Sequence, residues 1–66
     1  MVNKRKNLIT ARKNKGLTQD ELASQADISR AYLSNIERGA YAPSLKVARR
    51  LSQILKLSTD ELFFGN

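Results

Sequence analysis

Apolar positions in this chain recur at helical spacing, and sharp breaks close the stretches that carry them. Gly16, the run Gly39-Ala40-Tyr41-Ala42-Pro43 and Gly65 are those breaks. One local pattern occurs twice, as Leu17-Thr18-Gln19-Asp20-Glu21-Leu22 and Leu57-Ser58-Thr59-Asp60-Glu61-Leu62. In each, a hydroxyl residue stands three positions before a Glu, the signature of a capping box, and flanking leucines form a hydrophobic staple. The acids of the first turn also face the positive end of the helix dipole. Ser29 opens a further helix with Ile28 and Leu33 as its staple, and Ser44, after Pro43, opens another. Leu45, Ala48, Leu51 and Leu55 are the expected apolar face of that fourth helix. Leu8, Ala11 and Arg12 align on one face of the first. The pattern predicts five helices, at about 3–15, 19–25, 30–38, 45–55 and 59–64. No stretch alternates long enough for a strand, so the expected fold is all-α.

At 66 residues the chain is one domain near the lower limit for folding on its own core. With no Cys and no His, neither disulfides nor the usual zinc ligand sets can staple it. Helix packing, oligomerisation or both must supply the stability. Twelve basic residues against six acidic ones give a net charge of +6. The charge is uneven: Lys4, Arg5, Lys6, Arg12, Lys13 and Lys15 all precede the first acid, Asp20. Such a skew favours a polyanionic partner, nucleic acid before an anionic membrane. No apolar run approaches the ~18 residues of a membrane span, and the first residues lack the apolar core of a secretory signal. A cytoplasmic protein without a membrane partner is expected. Lys4-Arg5-Lys6 is open to three readings: a localisation tag, a phosphate-binding arm or a solvated basic end.

Enzymatic chemistry finds little footing. The common general bases and thiol nucleophiles are missing with His and Cys. Asp20-Glu21 and Asp60-Glu61 are sequence neighbours, so they point about 100° apart on a helix, and the capping role accounts for them. No catalytic residue, metal, cofactor or small-molecule ligand is expected.

Residues 18–38 carry the most information. A short helix, a turn at Ala26-Asp27-Ile28-Ser29 and a second short helix have the spacing of a DNA-binding helix-turn-helix. With Leu33 and Ile36 inward, a step of about 100° per residue turns Ala31 and Arg38 outward. Ser34 and Asn35 then lie on the outer flanks, and Arg30 projects sideways from the first turn. The exposed face of this helix is small, polar and basic, where Arg matches guanine and Asn matches adenine in the major groove. Glu37 falls nearer the core. Buried there it needs a cation, and Arg12 on the inner edge of the first helix is the candidate.

These stretches together resemble the Cro/cI-type (XRE) helix-turn-helix family of transcriptional regulators. The similarity runs from Ala11-Arg12 through Gly16-Leu17-Thr18-Gln19, Glu21-Leu22-Ala23, Ile28-Ser29-Arg30, Tyr32-Leu33-Ser34 and Ile36-Glu37-Arg38-Gly39. It continues through Pro43-Ser44-Leu45 to Leu55 and the second capping box. The resemblance implies a compact five-helix, lambda-repressor-like bundle whose third helix reads the major groove, usually as a homodimer on a palindromic operator. It places Arg30, Ala31, Ser34 and Asn35 at base edges, Gln19 on a phosphate, Arg38 by the backbone, and Arg12 with Glu37 in an internal pair. Thr18, Ser29, Tyr32, Tyr41 and Ser44 complete the expected phosphate contacts.

The chain departs from the family where Asp27 and Lys56 replace glycines that often follow the second and fourth helices. Asp tolerates the left-handed conformation of such a position; Lys must accept strain. The Gly39–Pro43 loop also lacks the basic residue many relatives hold there. With no sensor or oligomerisation domain expected, the chain is similar in size to small phage repressors and to restriction–modification controller proteins. Leu62, Phe63 and Phe64, three consecutive apolar residues, are the expected dimer interface. An interaction module such as an antitoxin would need another large apolar patch, and an architectural DNA binder would need wedge residues or scattered lysines.

Overall fold

The computed structural model of the chain describes residues 4–64. Four α-helices, α1 (Lys6–Asn14), α2 (Gln19–Gln25), α3 (Arg30–Glu37) and α4 (Leu45–Leu55), are followed by one π-helical turn, Asp60–Phe64. No strand occurs among the described residues.

Side-chain caps set most of the helix starts. The Thr18 hydroxyl accepts the Glu21 N–H at 3.1 Å, and the Glu21 carboxylate accepts the Thr18 N–H at 2.9 Å. These bonds, the backbone one foremost, hold the Glu21 carboxyl below its ordinary value of 4.5. Ser58 and Glu61 repeat the box, both bonds being 3.1 Å. Ser29 accepts from the Tyr32 N–H and Ser44 from the Val47 N–H. Each hydroxyl thus satisfies one of the amide donors a helix start leaves unpaired.

Helix ends are closed by left-handed residues. Gly39 at φ 80° follows α3, whereas Asp27 (φ 59°) and Lys56 (φ 57°) take that conformation after α2 and α4 without being glycine. The chain turns there as a glycine would, at a steric cost that falls hardest on Lys56.

Leu8, Leu22, Leu33, Ile36, Leu51 and Leu62 are the large side chains sealed inside. Alanines at 11, 23 and 26 let the short helices approach closely around them. No buried side-chain polar atom among the described residues lacks a partner, as a core this small requires.

The structure corrects three expectations. The first helix begins at Lys6, because Arg5 has φ −84° and ψ 80° and gives its backbone N–H to the Glu37 carbonyl at 2.8 Å. A contact across the fold therefore ends the helix where propensity would have continued it. Asn3, the expected start, and Gly65 lie outside the described residues. On α4, Leu45 is 66% exposed, and the buried face is Val47, Ala48, Leu51 and Leu55. Position 45 lies about 160° around the helix from 47, so the two cannot both face the core. Leu62 is 2% exposed, inside its own subunit, and cannot form a dimer surface, whereas Phe64 is 77% exposed and Phe63 half-buried. Those three expected interface residues point in different directions from one turn.

Candidate nucleic-acid interface

Helix α3 is fixed to the body by Leu33 and Ile36, both fully buried, and by Glu37. The Glu37 carboxylate receives Arg12 Nε at 2.7 Å and a second guanidinium N–H at 3.2 Å. A third Arg12 nitrogen donates to the Leu17 carbonyl at 2.9 Å. Gln19 Nε2 donates to Glu37 Oε1 at 2.9 Å. One buried carboxylate therefore ties α1, the start of α2 and the end of α3 together. Gln19, expected on a phosphate, turns its amide nitrogen inward to this network.

The opposite face of α3 is open. Arg30, Ala31 and Arg38 are exposed, and Ser34 and Asn35 half-exposed. Four of them stand on one short helix and Arg38 is its C-cap; the helix shows water no acid, since its only carboxylate, Glu37, is buried and paired. Arg38 donates to the Asn35 side-chain oxygen at 3.2 Å, which engages that oxygen and leaves the NH2 to donate.

The remaining expected phosphate contacts divide by element. Thr18, Ser29 and Ser44 are the caps of α2, α3 and α4, and each accepts a main-chain N–H while keeping its own O–H to donate. Tyr32 and Tyr41 bring their rings to 6.4 Å, one from α3 and one from the loop that follows.

Three participants escape the sequence pattern. Asp20 stands 3.5 Å from Arg30 Nε, across the helix-turn-helix; both side chains are well exposed, which makes the pair weak. Arg50 donates to the Ala26 carbonyl at 3.3 Å, closing the end of α2. Arg5 donates through Nε to the Ile36 carbonyl at 3.0 Å and through a terminal nitrogen to the Tyr41 carbonyl at 3.3 Å. Its guanidinium carbon lies 5.5 Å from the centre of the Phe63 ring. Of the open readings of Lys4-Arg5-Lys6, none includes this docking. Only the unmet carbonyls at the end of α3 could have hinted at it.

Beside Arg5 a groove of about 260 Å³ is lined by Pro43, Leu45, Ala48, Phe63 and Phe64. Among the described residues the two most exposed large apolar side chains, Phe64 and Leu45, share it. Among the described residues no helix is long and apolar enough to cross a membrane.

Comparison with known proteins agrees with this geometry. The Helix-turn-helix family model matches residues 8–62. The ImmF control region 10 kDa protein of Bacillus phage phi105 is 43% identical over 51 residues, covering 77% of this chain. This chain spans just over half, 57%, of that phage protein's length. An HTH-type transcriptional regulator of Sinorhizobium fredii is 38% identical over 66 residues, covering 89% of this chain and 86% of that protein. Among solved structures, the biofilm regulator SinR of Bacillus subtilis, crystallised in complex with DNA, superposes with a TM-score of 0.77 at 36% identity. That match covers 83% of this chain and 89% of the SinR chain.

Proposed function

The chain belongs to the helix-turn-helix family of DNA-binding transcriptional regulators, and we propose that it reads a palindromic operator as a homodimer with α3 in the major groove. It is not an enzyme, as its relatives are regulators of transcription. One observation carries the reading: an outward face of Arg30, Ala31, Ser34 and Asn35, with Arg38 at the C-cap, on a helix whose only acid is buried.

Ala31 and Ser34 are small enough to let the helix seat deeply. Arg30 has the fork for guanine O6 and N7, and the NH2 of Asn35 suits adenine N7, with the second lone pair of its oxygen for N6. Phosphates are met by the hydroxyls of Thr18, Ser29 and Ser44, each at a helix N-terminus where amide dipoles favour an anion. The second amide hydrogen of Gln19, the hydroxyls of Tyr32 and Tyr41, and Arg38 complete that set. Because Gln19 is anchored on Glu37, its phosphate contact is preorganised by the buried pair.

The dimer forms through Phe64 and Leu45, with Phe63 at the edge, rather than through Leu62. The whole chain, 1–66, acts as one DNA-binding domain in the cytoplasm, without cofactor or small-molecule ligand.

Selection from random duplexes, repeated at two salt concentrations, tests this. The expected product is a palindrome bound with steep salt dependence, affinity falling ~10³-fold between 50 and 200 mM for about six neutralised phosphates. Equal affinity for all duplexes, or a flat salt response, refutes it.

A further inference from the structure

We propose that Arg5 is a positioning residue for DNA reading: it caps the C-terminal end of α3 from outside the helix and holds the loop that carries Tyr41. The role rests on the DNA-binding reading above, but its structural half stands independently of it.

The last four carbonyls of a helix have no partner within the helix. At the end of α3, Ser34 O receives the Arg38 N–H at 3.0 Å, and Asn35 O receives Ala40 at 2.9 Å and Tyr41 at 3.3 Å. Ile36 O receives Gly39 at 3.0 Å and, as a second donor, Arg5 Nε at 3.0 Å. Glu37 O receives the backbone N–H of Arg5 at 2.8 Å. One residue from the start of the chain thus serves two of the four carbonyls, and its positive charge sits at the negative end of the helix dipole.

The guanidinium goes further than capping. A terminal nitrogen reaches the Tyr41 carbonyl, and its central carbon lies over the Phe63 ring, 5.5 Å from the centroid. Two donors on separate carbonyls, with the same cation over an aromatic ring, use the guanidinium fork in a way an ammonium cannot copy. Three parts distant in sequence are joined by one side chain: the end of α3, the loop after it and the C-terminal turn. Asn7, two residues on, donates to the Glu61 carbonyl at 2.9 Å and fastens the same turn. Arg38 and Tyr41, expected at the DNA backbone, both lie on the segment Arg5 holds. Without Arg5 they would be free to move relative to the base-reading residues on the first turns of α3.

The test uses the full chain with Arg5→Lys and Arg5→Ala. Amide hydrogen exchange without DNA should show Gly39, Ala40 and Tyr41 exchanging about tenfold faster in both variants, the loss expected of one charge-assisted hydrogen bond. Amides in the middle of α4 should stay protected, which separates a local release from general destabilisation. Affinity for the selected operator should fall about tenfold in Arg5→Lys, with an unchanged slope of log affinity against log salt, because no phosphate contact is lost. Unchanged exchange in Arg5→Lys overturns the proposal whatever happens on DNA. So does full operator affinity in Arg5→Lys combined with a shallower salt slope in Arg5→Ala, the signature of a phosphate arm. If the wild-type chain selects no duplex, the DNA reading fails, and exchange alone still decides whether Arg5 holds the end of α3.

Discussion

Replacing Glu37 by Gln removes one charge from the most buried polar site of the fold. Glu37 is 2% exposed and Arg12 9%, so the guanidinium left behind cannot recover its hydration without opening the core. Gln keeps the shape and one acceptor oxygen, but sets an NH2 group in place of either Oε2, which accepts from Arg12 at 2.7 Å, or Oε1, which accepts from Arg12 at 3.2 Å and Gln19 at 2.9 Å. Three donors would then converge on one acceptor. Breaking a buried pair from one side costs about 3–5 kcal/mol. At about 0.05–0.15 kcal/mol per residue, a chain of this length holds only ~3–10 kcal/mol in all. Glu37→Gln is therefore expected to remove a third or more of the stability and to lower the melting temperature by ~12–40 °C. Urea titrations followed by circular dichroism measure the loss directly. Replacing both partners, Arg12→Met with Glu37→Leu, should recover much of it, since the desolvation cost disappears with the charges. Recovery stays incomplete because the Leu17 carbonyl and Gln19 amide lose their partners. A Glu37→Gln variant within ~0.5 kcal/mol of wild type would show that the pair is not the anchor described here.

Arg30→Ala and Asn35→Ala should each cost ~1–3 kcal/mol of operator binding and relax preference at one base pair per half-site, read on every single-base change in the operator. Arg38→Ala should weaken all sequences and flatten the salt dependence; a selective loss at the Asn35 position instead would assign Arg38 to orienting that amide. Phe64→Asp should yield a monomer by sedimentation with weaker operator binding, and a still-dimeric variant moves the interface off the groove. Lys56→Gly should stabilise the fold by about 0.5–1 kcal/mol in urea, because glycine relieves the left-handed strain while giving back some chain entropy. A loss of stability there would mean that the Lys56 side chain makes a contact worth more than the strain.

Legibility follows the range of the interaction. Thr18, Ser29, Ser44 and Ser58 were readable as helix starts because a cap and its target amide are three residues apart, within one turn of chain. The outward face of α3 followed from the same local geometry once Leu33 and Ile36 were set inward, and so did the need of Glu37 for a cation. Asp27 and Lys56 stood out as left-handed positions because the family keeps glycine there. Helix boundaries at 19, 30 and 45 agree with the structure for this reason.

What required the tertiary structure was the choice among equivalent residues and the use of charges far from their partners in sequence. Leu62, Phe63 and Phe64 are alike in composition, yet only Leu62 is sealed, because a π-helical turn docked by Asn7 and Arg5 directs it inward and leaves Phe64 outside. Leu45 and Val47 compete for one face of α4, and the packing against the core decides for Val47. Arg5 could be counted as part of a basic arm from its neighbours alone. Its actual partners, Ile36, Glu37, Tyr41 and Phe63, are thirty or more residues away. Local hydrogen bonds and helical periodicity are properties of a few consecutive residues and so are written in their order. Which apolar side chain is buried, and which cation docks instead of being solvated, depends on surfaces that exist only after the helices have come together.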